Sequence, residues 1–468
     1  MTASSVCFSA PGKALVAGGY LVLYPENSSF VTALSARIYA IGTPSGTPEG
    51  KDPTVVVCSP QFKEGEWGYV LHMNKVSGYV SLSPTDPSRK NPFVWSAIAT
   101  SLNYLSARKL LPKSLPSLAI NILSDNAYHS QPSDTVPRFN KHAAQITAVP
   151  KTGLGSSAAL TTSLVATLLQ TYGGVDPTSV KGQSVLHNVA QLAHCTAQGK
   201  VGSGFDVACA VYGSIMYRRF PAIMISSLPP APDASVTAEE ESDYLDALVE
   251  RVDSDWGAFT RPCAVPRGLR LLMGDVAGGS ETPSMVQKVQ RWRSDGGDKT
   301  EAVWRSLGKA NVQLIEALTG LGVASEKSPV EYDAFLAKIL AASANSAAIK
   351  SLGADSGHKT GLLFEQAVQA ISSIRENLRT MTAGSGAQVE PEEQTVLLDT
   401  CSNFPGVVGG VVPGAGGYDA VCLLATNEGV ASLVGTVSKD LEKVKWLDLR
   451  EEAEGLRKES IELLSKFL

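Results

Sequence analysis

Apolar residues follow two rhythms along the chain. Val6-Cys-Phe8, Ala14 to Tyr24, Thr54 to Cys58 and Ala119 to Leu123 are short apolar runs, which predict buried strands, with Pro11-Gly12 and Gly18-Gly19 as breaks. From Ser156 the spacing changes. Leu160, Leu164, Val165 and Leu168 recur at helical intervals, and Gly173-Gly174 supplies a stop. A second helix carries Val185, Val189, Leu192 and Thr196 on one face and ends near Gly199. Gly202-Ser-Gly-Phe-Asp206 then leads to a strand from Ser214 to Phe220.

The second half is mainly helical. After a strand at Leu269 to Met273, helices are predicted around Met285 to Trp292, Val303 to Leu318, Tyr332 to Leu340 and Gly361 to Leu378. The Pro- and Glu-rich run from Leu228 to Ser242 predicts a solvated linker. The boundaries expected are an N-terminal lobe over 1–225, a linker or insertion over 226–260 and a C-terminal lobe over 261–468. Trp446, Leu449, Leu456, Ile461 and Leu464, spaced among charges, predict a surface-docked amphipathic helix at the end.

Composition narrows the class. Of 468 residues, 44% are hydrophobic and 18% charged, enough apolar material for large cores and too much for a disordered chain. Forty basic against 45 acidic residues leave a net charge of -5, so no basic coat for nucleic acid exists and any anion must be held by a local site. Seven scattered cysteines with no CxxC pair predict reduced, mostly buried thiols and no structural metal. Neither a signal peptide nor an apolar run long enough to span a membrane is evident, so a soluble, cytoplasmic protein is expected.

Candidate chemistry lies in the glycines. Lys151-Thr152-Gly153-Leu154-Gly155-Ser156-Ser157-Ala158-Ala159 places a glycine loop at the start of a helix. Unpaired N–H groups, the positive end of the helix dipole and two hydroxyls together make a phosphate cradle. The same run fits a dinucleotide fingerprint, but Pro150 interrupts the strand that fingerprint needs, and Asp176 lies in a turn. Gly-x-x-x-x-Gly-Lys-Ser/Thr and the protein-kinase sequences are absent.

Ser9-Ala-Pro-Gly-Lys13-Ala-Leu-Val-Ala-Gly-Gly-Tyr20, the Lys151 to Ala159 loop, and Val412-Pro-Gly-Ala-Gly-Gly-Tyr-Asp-Ala420 resemble, in order, the three motifs of the GHMP kinase superfamily. Gly18-Gly19-Tyr20 stands where most members carry Gly-Glu-His. With Gly199 to Asp206, Gly274 to Pro283 and Pro391 to Thr395, it resembles the phosphomevalonate kinase branch of fungi and plants.

The resemblance implies an α+β fold with an N-terminal lobe like ribosomal protein S5 domain 2 and a ferredoxin-like C-terminal lobe. It implies ATP and magnesium as cofactors and 5-phosphomevalonate as the phosphate acceptor, in the mevalonate route to isoprenoids and sterols. Mevalonate kinase, another small-molecule kinase of this superfamily, or a non-catalytic sensor on the same fold stay open as alternatives. No nucleic-acid or membrane partner is expected, and the chain would act as monomer or homodimer.

On this basis Lys13 and Asp206 are the expected catalytic residues and 151–159 the ATP loop. Lys13, Gly19, Tyr20, Ser203, Ser280, Thr282, Gly414, Ala415, Gly416 and Gly417 are expected to contact the acceptor. Asp206 is expected to orient Lys13 or the acceptor, because a phosphate monoester with a second pKa of about 6 hardly needs a base. Ser157 is the expected magnesium ligand. The Glu that mevalonate kinases add is missing, since counting back from Asp206 reaches Cys195 with His194 beside it. Ser280 and Thr282 with Pro283 suit a second anion site, or a simple helix cap.

Overall fold

Val6 to Ala17 form one unbroken strand. Pro11-Gly12 does not end it, because the pairing shifts register there and the ladder resumes on the other side. The computed structural model describes the chain except residues 1–3, 48–49, 131–135, 234, 277–281, 440, 463 and 468, and the side chains of 282, 283 and 465.

The strands are β1 (Val6–Ala17), β2 (Ser29–Ser45), β3 (Thr54–Cys58), β4 (Glu66–Met73), β5 (Val80–Pro84), β6 (Ser117–Ser124), β7 (Ile215–Arg218), β8 (Phe259–Pro262), β9 (Leu269–Val276), β10 (Val407–Val411), β11 (Ala420–Thr426), β12 (Val444–Leu447), β13 (Glu451–Glu452) and β14 (Arg457–Lys458). The helices are α1 (Pro92–Ala107), α2 (Ser156–Gly173), α3 (Val180–Gln198), α4 (Phe205–Tyr212), α5 (Ile223–Ser226), α6 (Ala238–Asp253), α7 (Thr282–Asp295), α8 (Gly297–Lys327), α9 (Pro329–Ala341), α10 (Ser346–Ala354), α11 (Lys359–Ser385), α12 (Glu392–Ser402) and α13 (Asn427–Gly435).

The first sheet runs β14-β1-β2-β6-β3-β4-β5, with β7, β8 and β13 attached at its side. α2 packs on β1 and β2, and α1 and α3 pack against α2. α2 starts and stops at glycines in the left-handed region, Gly155 and Gly174, where a Cβ would be strained. α3 ends the same way at Gly199.

The second sheet has the order β10-β11-β9-β12 and is antiparallel throughout. Helices connect β9 to β10 and β11 to β12, the β-α-β-β-α-β pattern of a ferredoxin-like lobe. All seven residues of β11 are buried, so it is a continuous apolar run and does not alternate.

Three expectations change. The solvated run expected from Leu228 to Ser242 is mostly exposed loop only as far as Thr237; α6 then occupies the middle of 226–260, capped by Thr237 and Glu240, and buries Tyr244, Leu245, Leu248 and Val252. It packs on α1 and α3, and β8 extends the first sheet. The terminal amphipathic helix is replaced by β12, β13 and β14, of which β13 pairs with β2 and β14 with β1.

This returning segment is fixed by Arg37, which is fully buried. Its guanidinium donates to Ser9 Oγ at 2.7 Å, to Ser9 O at 2.9 Å and to Glu452 at 2.9 Å. Sheet membership therefore does not follow the boundaries expected near 225 and 260. One apolar cluster also runs from Phe8 in β1 to Phe364 in α11. All seven cysteines are free, and no helix among the described residues is long and apolar enough to cross a membrane.

Buried histidines make the fold acid-labile. Burial pushes His129 and His187 from the ordinary 6.5 down to about 4. The unfolded chain therefore binds protons below pH 6.5 that the native state refuses, and stability falls as pH drops from 6.5 toward 4, by on the order of 3 kcal/mol per group. Urea midpoints at pH 7, 6, 5 and 4.5 should decline in that window, and His187→Gln should flatten the decline. A midpoint independent of pH would refute this.

Candidate active site

Lys13 lies where three segments meet. The β1 ladder presents it half-buried, and its backbone N–H donates to Leu154 O at 2.9 Å. Its ammonium donates to Gly153 O at 2.7 Å and lies 5.6 Å from the centre of the Phe205 ring. Gly155 is required beneath it: φ is +79°, and a Cβ there would meet Lys13 Cγ at 3.1 Å and Cε at 3.2 Å. Burial pulls the ammonium below the ordinary lysine range, and the charge of Asp206 is the largest opposing influence.

The glycine loop is built as the sequence predicts. Thr152 is buried, its N–H bonded to Tyr128 O and its hydroxyl to Ala127 O. Leu154, Ala158 and Ala159 anchor the loop and the first turn of α2 in the core. Gly153 and Gly155 have positive φ, and Lys151 is exposed and bridges to His129. No side chain caps α2, so the amides of its first turn are available to a ligand.

Ser156 and Ser157 are half-buried and line a cavity of about 560 Å³. Val57, Trp67 and Phe93 line it together with Lys63, Lys90 and Lys151, and Glu64 and Asp86 stand among them. This combination of a flat apolar wall and basic groups beside a phosphate cradle suits a nucleotide.

Asp206 lies in the first turn of α4 and is half-buried, one carboxylate oxygen accepting from the Val207 N–H at 3.0 Å. The other lies 4.0 Å from His194 Nε2. Asp206 and Lys13 make no direct ion pair among the described residues; the Gly153 carbonyl holds the ammonium instead. His194 Nε2 is 3.1 Å from Ser157 Oγ and 3.2 Å from the Gln198 side-chain nitrogen. Burial lowers the His194 pKa, with the charge of Asp206 opposing.

Of the other expected residues, those of the motif-one turn and of the β10–β11 loop meet one another. Tyr20 is buried in the turn after β1 with φ of 59°, and its hydroxyl donates to Ala415 O at 2.8 Å. A Cβ on Gly19 would approach Gly414 O at 3.2 Å, so the motif-one turn and the β10–β11 loop touch. Gly416 and Gly417 adopt φ of +86° and +108°. Ser203 precedes α4, its carbonyl bonded to Tyr217. Ser280 lies outside the described residues, as does the side chain of Thr282, the first residue of α7.

Sequence reasoning missed Phe205, His194 with Gln198, and the wall residues Trp67 and Phe93. One signal existed: His194 and Gln198 stand four residues apart, hence on one face of a predicted helix.

Fold and site together define a small-molecule kinase of the GHMP class. Residues 97–214 match the GHMP kinases N terminal domain family. The phosphomevalonate kinase of Candida albicans is 38% identical over 98% of this chain and 99% of its own. The peroxisomal phosphomevalonate kinase of Arabidopsis thaliana is 34% identical over 97% and 96%. The Streptococcus pneumoniae phosphomevalonate kinase, solved with phosphomevalonate and AMPPNP, superposes with a TM-score of 0.58 at 15% identity, covering 96% of this chain and all of that one. This chain belongs to the phosphomevalonate kinase family.

Proposed function

We propose that the protein transfers the γ-phosphoryl group of ATP to the 5-phosphate of (R)-5-phosphomevalonate, giving (R)-5-diphosphomevalonate and ADP. The observation that carries this is near-full-length similarity to phosphomevalonate kinases, in a chain that keeps Lys13 against the Gly153–Ser157 loop. ATP enters the cavity beside that loop, its phosphates on the first-turn amides of α2, and the acceptor lies between the Tyr20 turn, Ser203 and the Gly414–Gly417 loop.

Both reactants are polyanions, so the chemistry is mostly positioning and neutralisation. Lys13 places one positive charge where the γ-phosphoryl passes. The acceptor oxygen is already ionised near neutrality, given a second phosphate pKa of about 6. Asp206 therefore acts by orienting the acceptor or, through its charge and not a direct ion pair, Lys13. In Asp206→Asn, kcat should fall about tenfold or more at every pH from 6 to 9; complete recovery above the acceptor's second pKa would restore the general-base assignment.

Magnesium fits the residues in a limited way. No group of three His, Cys, Asp or Glu among the described residues could cage a metal, as suits an ion held chiefly by phosphates and water. Ser157, whose hydroxyl lies 3.1 Å from His194 Nε2, would hold it through its oxygen. Bound there, magnesium would offset charge on the β- and γ-phosphates.

Free cysteines favour a cytosolic location, although the plant relative is named as peroxisomal. ADP release measured separately with mevalonate, 5-phosphomevalonate and 5-diphosphomevalonate tests the proposal. Turnover with 5-phosphomevalonate alone is expected. Turnover only with mevalonate would identify a mevalonate kinase, and turnover with none a non-catalytic protein.

A further inference from the structure

Behind the loop that leads to Asp206 lies a half-buried cation the phosphoryl chemistry above does not use. Arg219 follows β7. One terminal nitrogen donates to Leu23 O at 2.8 Å, and the other to Gly202 O at 2.7 Å and Val201 O at 3.3 Å. The guanidinium thus ties the motif-one turn, which carries Gly19 and Tyr20, to the loop that carries Ser203. Two buried neighbours extend the grip: Tyr217 donates its hydroxyl to Ser203 O at 2.9 Å and Gln191 its amide to Gly204 O at 2.6 Å.

This arrangement has a stereochemical consequence. In a trans peptide, the carbonyl of one residue and the N–H of the next point in opposite directions. The carbonyls of Gly202, Ser203 and Gly204 all turn inward to Arg219, Tyr217 and Gln191. The amides of Ser203, Gly204 and Phe205 therefore turn outward, at the start of the helix that carries Asp206. Gly204 permits this with φ of +79°, and a Cβ there would meet Phe220, Gln191 and Tyr217 at 2.6 to 3.0 Å.

Arg219 also makes no ion pair among the described residues. Its partners are carbonyls, and its Nε is buried without a partner. An uncompensated guanidinium in a half-buried position is costly by itself. A dianionic acceptor in front of the loop would offset that cost through the positive potential it meets there. Lysine would keep the charge but not both tethers, because Leu23 O and Gly202 O are reached by different nitrogens of one planar fork.

We propose that Arg219, supported by Tyr217 and Gln191, is a positioning residue for the phosphate acceptor, holding the Leu21–Leu23 turn and the Ser203–Phe205 amides in the spacing that the acceptor phosphate requires. The proposal rests on the phosphomevalonate reading. Arg219 touches neither reactant and acts through the loop it holds.

The experiment measures both KM values and kcat in wild type, Arg219→Met, Arg219→Lys and Tyr217→Phe, with melting curves on each. Arg219→Met should raise KM for 5-phosphomevalonate roughly tenfold or more, given the usual worth of charged hydrogen bonds, with KM for ATP changed by less than about twofold. Arg219→Lys should recover part of the loss by retaining charge, and Tyr217→Phe should raise the acceptor KM by a smaller factor. If Arg219→Met does not fold, the split between acceptor and ATP in Tyr217→Phe decides.

Equal changes in both KM values, or a fall in kcat alone that follows the folded fraction, would overturn the proposal and leave Arg219 structural. No turnover of 5-phosphomevalonate by wild type would instead refute the reading beneath it.

Discussion

Lys13→Met is expected to lower kcat for 5-phosphomevalonate by roughly a thousandfold or more, about 4 kcal/mol of transition-state stabilisation. Methionine keeps an unbranched stem against Gly155 and Phe205, so the melting temperature should stay near wild type while the charge is lost. Rapid-quench measurement of the first turnover would place the defect in the chemical step and not in product release. A decrease of less than tenfold would remove Lys13 from the centre of the mechanism.

The size of this effect follows from how Lys13 is held. An ammonium on a flexible surface stem is solvated and supplies little. Here the stem crosses an α-carbon that has no side chain, and the strand beneath is pinned by the Leu154 carbonyl. Burial already lowers the lysine pKa, so part of its hydration is gone before reactants arrive. Arginine should not substitute, since its wider head group would crowd Gly155 and the Gly153 carbonyl.

Local signals were legible wherever a backbone conformation demanded a particular residue. Gly174 and Gly199 mark the ends of α2 and α3 because the left-handed caps favour glycine, and Thr54–Cys58 was visible as a strand because its flanks are turns. α1 escaped notice despite Asn91 and Pro92 at its start. Its buried face includes Ser96, Thr100, Ser101 and Asn103, and Asn103 is satisfied by Val80 in β5, a partner no local window contains.

Long separation explains the other errors. The terminal segment has helically spaced apolar residues, yet it pairs as strands because Arg37 and Ser9 await it more than 400 residues upstream. The phosphate loop and Lys13 were readable as motifs. The contacts of His194 and Arg219 were not, since the partners of a histidine inside a helix or an arginine after a strand are set only by the fold.

Gly416→Ala should produce the second large loss, a fall in kcat/KM of about a hundredfold or more. At φ of +86° a Cβ would lie 2.1 Å from the Val389 carbonyl oxygen, and that residue cannot step aside. Val389 also accepts the Gly417 N–H at 3.2 Å, and the next residue, Glu390, is buried between Arg375 and Arg379 at 2.9 and 3.1 Å. Relief must therefore come from the β10–β11 loop itself, which would carry Ala415 away from Tyr20 and open the acceptor side of the site. Gly414→Ala is the control: its φ of +71° is strained, but no atom lies within 4 Å of a Cβ there, so about 1 kcal/mol is lost and activity should fall far less. Both KM values and kcat, measured for the pair of variants, separate a displaced loop from general strain. Equal losses at 414 and 416 would mean that the backing against Val389 does not hold the loop in place.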